Sequence, residues 1–268
     1  MNTALAFSLV PLRGRSGHSL RLLSGCLLLA LSSGMALAAN DPAANLLFVH
    51  GEVKIIDVKN KERPAARGTQ LFTKELVRTG AAGSAQVKFT DGTLVALRPG
   101  TEYRIDDYKE NPNNPNTEKQ ASTLLKGSLR AITGAVGKRV PANVTFSTPV
   151  ATMGIRGTVI GLIYVPPEGL PELPDVAPGT YALVTTGRAE LTSGGGSLPM
   201  VAGDVVYVPD AKSVPQLAPQ FIRLFENSDQ TVPANVNQQS SSHNQGGVSG
   251  GGGSYGGGSG GGGDSPAT

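Results

Sequence analysis

General-base or nucleophilic catalysis needs a histidine, a cysteine or a paired carboxylate placed beside its partner. In this sequence Cys26 and His18 fall in an N-terminal stretch with the look of a leader, which leaves His50, just ahead of Gly51, and His243, in a polar tail. Two histidines so far apart make a poor zinc site, and neither a G-x-S-x-G elbow nor an H-E-x-x-H helix is present. Asp106-Asp107, next to Glu102, is an adjacent carboxylate pair. Neighbouring strand residues point to opposite faces, so the pair is read neither as a metal site nor as an acid and base. The run Gly134-Ala135-Val136-Gly137-Lys138-Arg139 resembles the end of a phosphate loop, but Ile132 stands where that motif needs glycine and Arg139 where it needs serine or threonine. No catalytic residue, cofactor or metal is expected, and the chain is read as not an enzyme.

The elements that would position any functional side chain are strands. From residue 46 to residue 225 short segments of period two, rich in valine, leucine, isoleucine and threonine, alternate with glycine, proline and aspartate signals. Ala85, Val87 and Phe89 alternate with Gln86 and Lys88, Asp91-Gly92 supplies a tight turn, and residues 93–97 run back. That pattern predicts a hairpin. No long window has helical apolar spacing, so helix content should be low. A weak repeat, x-x-Gly-x-apolar-x-apolar, occurs at Gly51, Gly127 and Gly187. Its unequal spacing excludes a regular solenoid and points to turn-and-strand units. The expected fold is all-β, a single β-sandwich or irregular β-roll of short antiparallel strands.

Two polar insertions interrupt the pattern. Residues 106–120, with Pro112 and Pro115 among asparagines and charges, should be an exposed loop. Residues 166–179 hold five prolines and the acids Glu168, Glu172 and Asp175 with no basic residue. Such a loop is expected to be extended and stiff, and as a recognition tip it would lose little entropy on binding. From residue 227 on there is no lysine or arginine, and 13 of the 18 residues 246–263 are glycine. This tail is expected to be disordered.

Residues 22–31 are an apolar run preceded by Arg13, Arg15 and Arg21 and followed by Ala36-Leu37-Ala38, the pattern of a signal peptide cleaved after Ala38. The alternatives are a retained anchor and a lipidated Cys26 in the box Leu23-Ser24-Gly25-Cys26. All 20 acidic residues lie beyond Ala38, against 20 of the 23 basic ones, so the exported chain is neutral. It has no electrostatic footprint for nucleic acid or an anionic membrane. Without Cys26 it has neither a disulfide nor a thiolate site. A periplasmic or secreted bacterial protein is expected, with no membrane insertion after leader cleavage.

The densest motif is FSTPVATMGIRGTVIG, residues 146–161. It resembles the Thr-Pro-x-Ala-x-x-Gly-x-Arg-Gly-Thr signature of FecR-domain proteins, here Thr148, Pro149, Ala151, Gly154, Arg156, Gly157 and Thr158. Gly51 and Val53, residues 76–80, the Asp91-Gly92 hairpin, residues 125–129 and Ala202-Gly203-Asp204 follow the family order, so the resemblance spans residues 46–210. It implies an all-β extracytoplasmic module. The best-known members with that module are transmembrane regulators that pass a signal to a sigma factor. Only 21 residues precede the apolar segment here, which leaves no room for their cytoplasmic domain. The resemblance therefore implies the fold of a free-standing exported member and not the regulatory activity.

Read on its own chemistry, Pro149 should end or bend a strand, Gly154 and Gly157 should permit positive φ or close backbone approach, and residues 158–163 should resume a strand. Arg156 is expected to be structural, its guanidinium tying the turn to an acid or a carbonyl. The organisation expected is a signal peptide over 1–38, a FecR-like β domain over 46–226 and a tail over 227–268. Its function is expected to be interaction with an envelope protein or glycan, through Glu168, Glu172 and Asp175 or by strand addition. A membrane-held sensory component and a surface structural protein are the alternatives.

Overall fold

The computed structural model describes residues 41–226. The leader, its cleavage point, Cys26 and the glycine tail lie outside the described residues. Fifteen strands run in the order β1 (Ala44–His50), β2 (Val53–Ile56), β3 (Glu62–Pro64), β4 (Gln70–Leu71), β5 (Leu76–Thr79), β6 (Ser84–Phe89), β7 (Leu94–Leu97), β8 (Glu102–Lys109), β9 (Lys119–Ile132), β10 (Val144–Ser147), β11 (Thr152–Val165), β12 (Gly179–Ser193), β13 (Gly196–Val201), β14 (Val205–Val208) and β15 (Gln216–Leu217). Two short helices, α1 (Ala135–Arg139) and α2 (Arg223–Glu226), accompany them. The fold is all-β, as the alternation predicts, and the sheet is open. Two features go beyond that expectation: β9, β11 and β12 are 14 or 15 residues long, and β10 pairs with β9 in parallel.

The predicted hairpin is β6–β7, paired antiparallel from Ala85↔Leu97 to Lys88↔Leu94. Its Asp91 does more than turn the chain. The carboxylate accepts from Thr93 N at 2.9 Å, from Thr93 Oγ1 at 3.0 Å and from Val136 N at 3.0 Å, which pins the start of α1. The amide that a phosphate would need in the 134–139 run is thus taken by the chain's own carboxylate.

The three long strands each change partners part-way. Residues 119–126 of β9 pair with β8, and residues 120–123 also with β10, whereas 127–132 pair with β11 and 129–132 also with β7. On β11 the change from β10 to β9 falls between Gly154 and Val159. On β12 residues 180–183 pair with β14 and 188–193 with β13. Glycines sit at these corners: Gly127 has φ +89°, Gly157 +62° and Gly187 +88°. The buried face shifts by one residue there, from 120, 122 and 124 to 127, 129 and 131 on β9. The extra residue of a bulge lets the strand turn while its apolar side chains stay inside. Gly51, with φ +63°, makes the same corner between β1 and β2. The sequence repeat at 51, 127 and 187 is therefore a repeat of corners.

A shared hydroxyl motif ties two of the corners. Thr101 Oγ1 accepts from Ser128 N and donates to Ser128 O, both at 3.1 Å. Thr133 Oγ1 accepts from Thr158 N at 3.1 Å and donates to Thr158 O at 2.7 Å. In each case a buried threonine satisfies the N–H and C=O of the residue that follows the corner glycine, where the regular ladder is interrupted. The rolled sheet encloses one core in which Leu46, Val87, Phe89 and Val95 from one half meet Ile55, Val77, Tyr103, Ile105, Phe146 and Met153 from the other. Each such side chain contributes about 1.5–3 kcal/mol. A second cluster, Ile163, Val165, Leu170, Tyr181, Val205 and Phe225, lies by the loop that joins β11 to β12.

Candidate functional site

The signature residues divide between the β10–β11 turn and the corner of β11. Thr148 is buried, and its Oγ1 accepts from Val150 N at 3.3 Å and Ala151 N at 3.0 Å and lies 2.7 Å from Thr180 Oγ1. It therefore closes its own turn and fastens it to the start of β12. Pro149 is exposed in that turn and Ala151 is buried beneath it. Gly154 differs from expectation: its φ is not positive and nothing approaches a Cβ built on it. Gly157 has the positive φ, and Thr158 receives the Thr133 tie. Residues 152–165 form one bulged strand rather than a strand that stops and resumes.

Arg156 corrects the structural expectation placed on it. Its side chain is exposed, and it makes no hydrogen bond or ion pair among the described residues. It stands directly opposite Arg188 of β12, also exposed and likewise unpaired. The strand around it is held by bulge and hydroxyls, so no arginine tie is needed. Arg188 was not legible as its neighbour, because only the β11–β12 register places the two together.

Loop 166–178 is also different from the extended segment expected. It coils through successive turns, with Gly169 N donating to Pro166 O at 2.8 Å, Leu173 N to Leu170 O at 2.9 Å and Val176 N to Leu173 O at 3.2 Å. The physical reason is the apolar residues between the prolines: Leu170 is buried in the second cluster, and Leu173 and Val176 pack on it. Tyr181 Oη donates to Ala177 O at 2.9 Å and Tyr207 Oη to Pro178 O at 2.7 Å, fixing the returning limb. Glu168, Glu172 and Asp175 are all exposed and form no ion pair among the described residues. Glu172 leans over Gly100 and borders a cleft of about 380 Å³ with Arg98, Ser128, Leu173 and Arg223. Burial pulls the Arg98 guanidinium below its usual pKa.

The carboxylate pair Asp106-Asp107 is reordered by a bulge in β8 between Ile105 and Asp107. Asp106 bonds Arg104 and Thr123 and Asp107 pairs with Lys119 at 3.0 Å, so both carboxylates engage the same face of β9, at residues four apart, rather than opposite faces. These partners make them structural, and no cluster with metal-ligand geometry occurs among the described residues. The insertion expected over 106–120 is shorter than that range, since 106–109 belong to β8 and 119–120 to β9. Glu118 and Gln120 within it are buried. Glu118 accepts from Arg139 Nε at 2.8 Å and Asn111 N at 3.0 Å, and the Arg139 hydrogen bond holds its carboxyl below the usual range.

The outer face of β2, β3, β5, β8 and β9 carries a cross-strand charge ladder. Lys54 and Arg78 sit directly opposite each other, and Glu62 straddles them, Oε2 at 3.4 Å from Lys54 and Oε1 at 2.9 Å from Arg78. Glu102 then joins Arg78 at 2.9 Å and Lys126 at 3.6 Å. Four strands end the sheet among the described residues: β3, β4, β13 and β15. Pro64 lies in β3 and Pro199 in β13, while β4 and β15 have two residues each. Short edges and edge prolines protect a sheet against pairing with another strand.

With this geometry in place, the model of the FecR protein family matches residues 75–168, from the start of β5 into the acidic loop. This stretch is similar to the FecR family. The match includes the whole signature and the corners at Gly127 and Gly157, and the β fold continues on either side of it. No curated protein matches the chain. Two crystal structures of a candidate anti-sigma factor from Parabacteroides distasonis ATCC 8503 overlap it at 14% identity, with TM-scores of 0.40 and 0.41 and 56% of this chain covered. The chain spans 63% of the length of those structures. A cell surface anchoring domain overlaps 23% of this chain and 82% of its own at 27% identity, with a TM-score of 0.23. No helix among the described residues is long and apolar enough to cross a membrane.

Proposed function

We propose that this FecR-domain protein is a non-enzymatic interaction module exported to the bacterial envelope, and that it meets its partner through loop 166–178. The observation that carries this reading is the loop itself. Leu170, Leu173 and Val176 hold it on the second core cluster, while Glu168, Glu172 and Asp175 stand in solvent with no ion pair among the described residues. A loop ordered before binding loses less conformational entropy when its partner arrives. Unpaired carboxylates of one sign favour a basic partner surface and fast, salt-sensitive encounter. Proline-bearing or very short edges make strand addition the weaker route.

The test is site-specific photocrosslinking in cells with the full chain. A crosslinker at Glu168 or Asp175 should trap a partner, and one at exposed Lys88, on β6, should not. Combining Glu172→Gln with the crosslinker at Glu168 should lower the yield. Equal trapping from both regions, or from neither, would refute the loop as the interaction surface. The regulatory character of the FecR family favours a second reading, a membrane-held sensory component. N-terminal sequencing of the protein from periplasm and membrane separates the two: a soluble chain starting at Ala39 supports the exported module, and a membrane-bound chain that keeps residues 1–38 supports the sensor.

A further inference from the structure

Arg156 and Arg188 face each other across β11 and β12, both exposed and both without an ion pair among the described residues. Like charges directly opposite in a sheet are destabilising. The same fold shows how it resolves such a pair elsewhere. Lys54 and Arg78 are likewise opposite, and there Glu62 places one carboxylate oxygen on each. At Arg156 and Arg188 the straddling carboxylate is missing from the chain. Glu190, two residues on along β12 and opposite Gly154, makes no ion pair with either arginine. Gly154 leaves the surface beside Arg156 open, since nothing lies within 4 Å of a Cβ built there.

The chain does carry carboxylates in the complementary state. Glu168, Glu172 and Asp175 are exposed, unpaired among the described residues, and held on a loop with no basic residue. We propose that the Arg156–Arg188 pair receives the acidic loop of a second copy of this chain, with a carboxylate straddling the two guanidiniums as Glu62 straddles Lys54 and Arg78. The inference rests on the reading of loop 166–178 as the interaction surface and names its partner. Guanidiniums suit this role because their planar forks donate to a carboxylate in bidentate fashion.

Sedimentation velocity on the purified full chain tests it. The chain should associate reversibly at low salt, and the association should weaken as ionic strength rises and the Debye length falls to a few ångströms. Arg156→Glu with Arg188→Glu, and separately Glu168→Arg with Glu172→Arg and Asp175→Arg, should each weaken association at least about tenfold. Mixing the two charge-reversed proteins should restore it, a result that misfolding of either would not produce. Glu190→Gln, which removes a nearby like charge from the docking carboxylate, should tighten it. A chain that stays monomeric at low salt, or associates with no response to these reversals, overturns the proposal. In cells, a crosslink from position 168 to a second copy supports it. A crosslink to a different protein overturns it while leaving the loop as the interaction surface, and no crosslink at all overturns both.

Discussion

Gly127 tolerates no side chain, and Arg156 departs from the structural tie expected of it. A Cβ on Gly127 would lie 2.6 Å from Thr101 Cα and 2.5 Å from Thr101 Oγ1, on a backbone with φ +89°. Gly127→Ala should therefore cost at least about 3 kcal/mol, the left-handed penalty plus the clash. Gly92→Ala is the control, since its φ is +85° but nothing lies within 4 Å of the added carbon. It should cost only about 1–2 kcal/mol, and thermal melts of the two variants decide whether the clash or the dihedral dominates. Arg156→Ala should leave stability within about 0.5 kcal/mol, as expected at an unpaired exposed site. A large loss in the melting temperature would restore the structural role that the sequence alone suggested.

Glu118 makes stability depend on pH. Its carboxyl is held below the ordinary range by Arg139, so its contribution is present above the unfolded carboxyl's value, about 4.3, and is lost as pH falls through the lower folded value. Glu118→Gln should destabilise the protein by about 1–3 kcal/mol at neutral pH. Urea titrations at several pH values should show the gap between wild type and variant closing below about pH 4.

Among the elements, the β6–β7 hairpin and the three corner glycines were legible because a turn leaves local residue types behind: Asp91-Gly92 in one case, glycine followed by alternating apolar residues in the other. Loop 166–178 was legible as a loop but not as a folded one. Its prolines argue for extension, and only the packing of Leu170, Leu173 and Val176 on a cluster built from β11, β12, β14 and α2 overrides them. Leu170→Ala removes a buried anchor and should cost about 2–3 kcal/mol. Hydrogen exchange should then quicken in residues 166–178 while β9 keeps its protection. Uniform quickening throughout the sheet would show that the loop is part of the main core and not a separately anchored unit. The Asp106-Asp107 side chains depart from the opposite faces expected for a different reason: a bulge cannot be seen in the alternation it interrupts.

For the whole molecule, charge was legible in amount but not in arrangement. Composition shows that acidic and basic residues balance beyond Ala38, and the structure shows that the balance is uneven over the surface. The ladder from Lys54 to Lys126 is internally neutralised, whereas the acidic loop and the Arg156–Arg188 pair are not. Surface bridges like those of the ladder contribute roughly 0–1 kcal/mol each, so the lack of such pairing in the other two patches costs little stability. The FecR signature carries the fold by closing turns and corners with Thr148, Gly157 and Thr158. It leaves Arg156 exposed and without an ion pair among the described residues.

The proposed partner contact depends on loop 166–178 being held in shape, and in-cell photocrosslinking from position 168 tests it when the anchors are removed and the acids kept. Leu170→Ala with Leu173→Ala leaves Glu168, Glu172 and Asp175 in place, so crosslinked product should fall clearly at equal protein abundance. An unchanged yield from the loosened loop would contradict it.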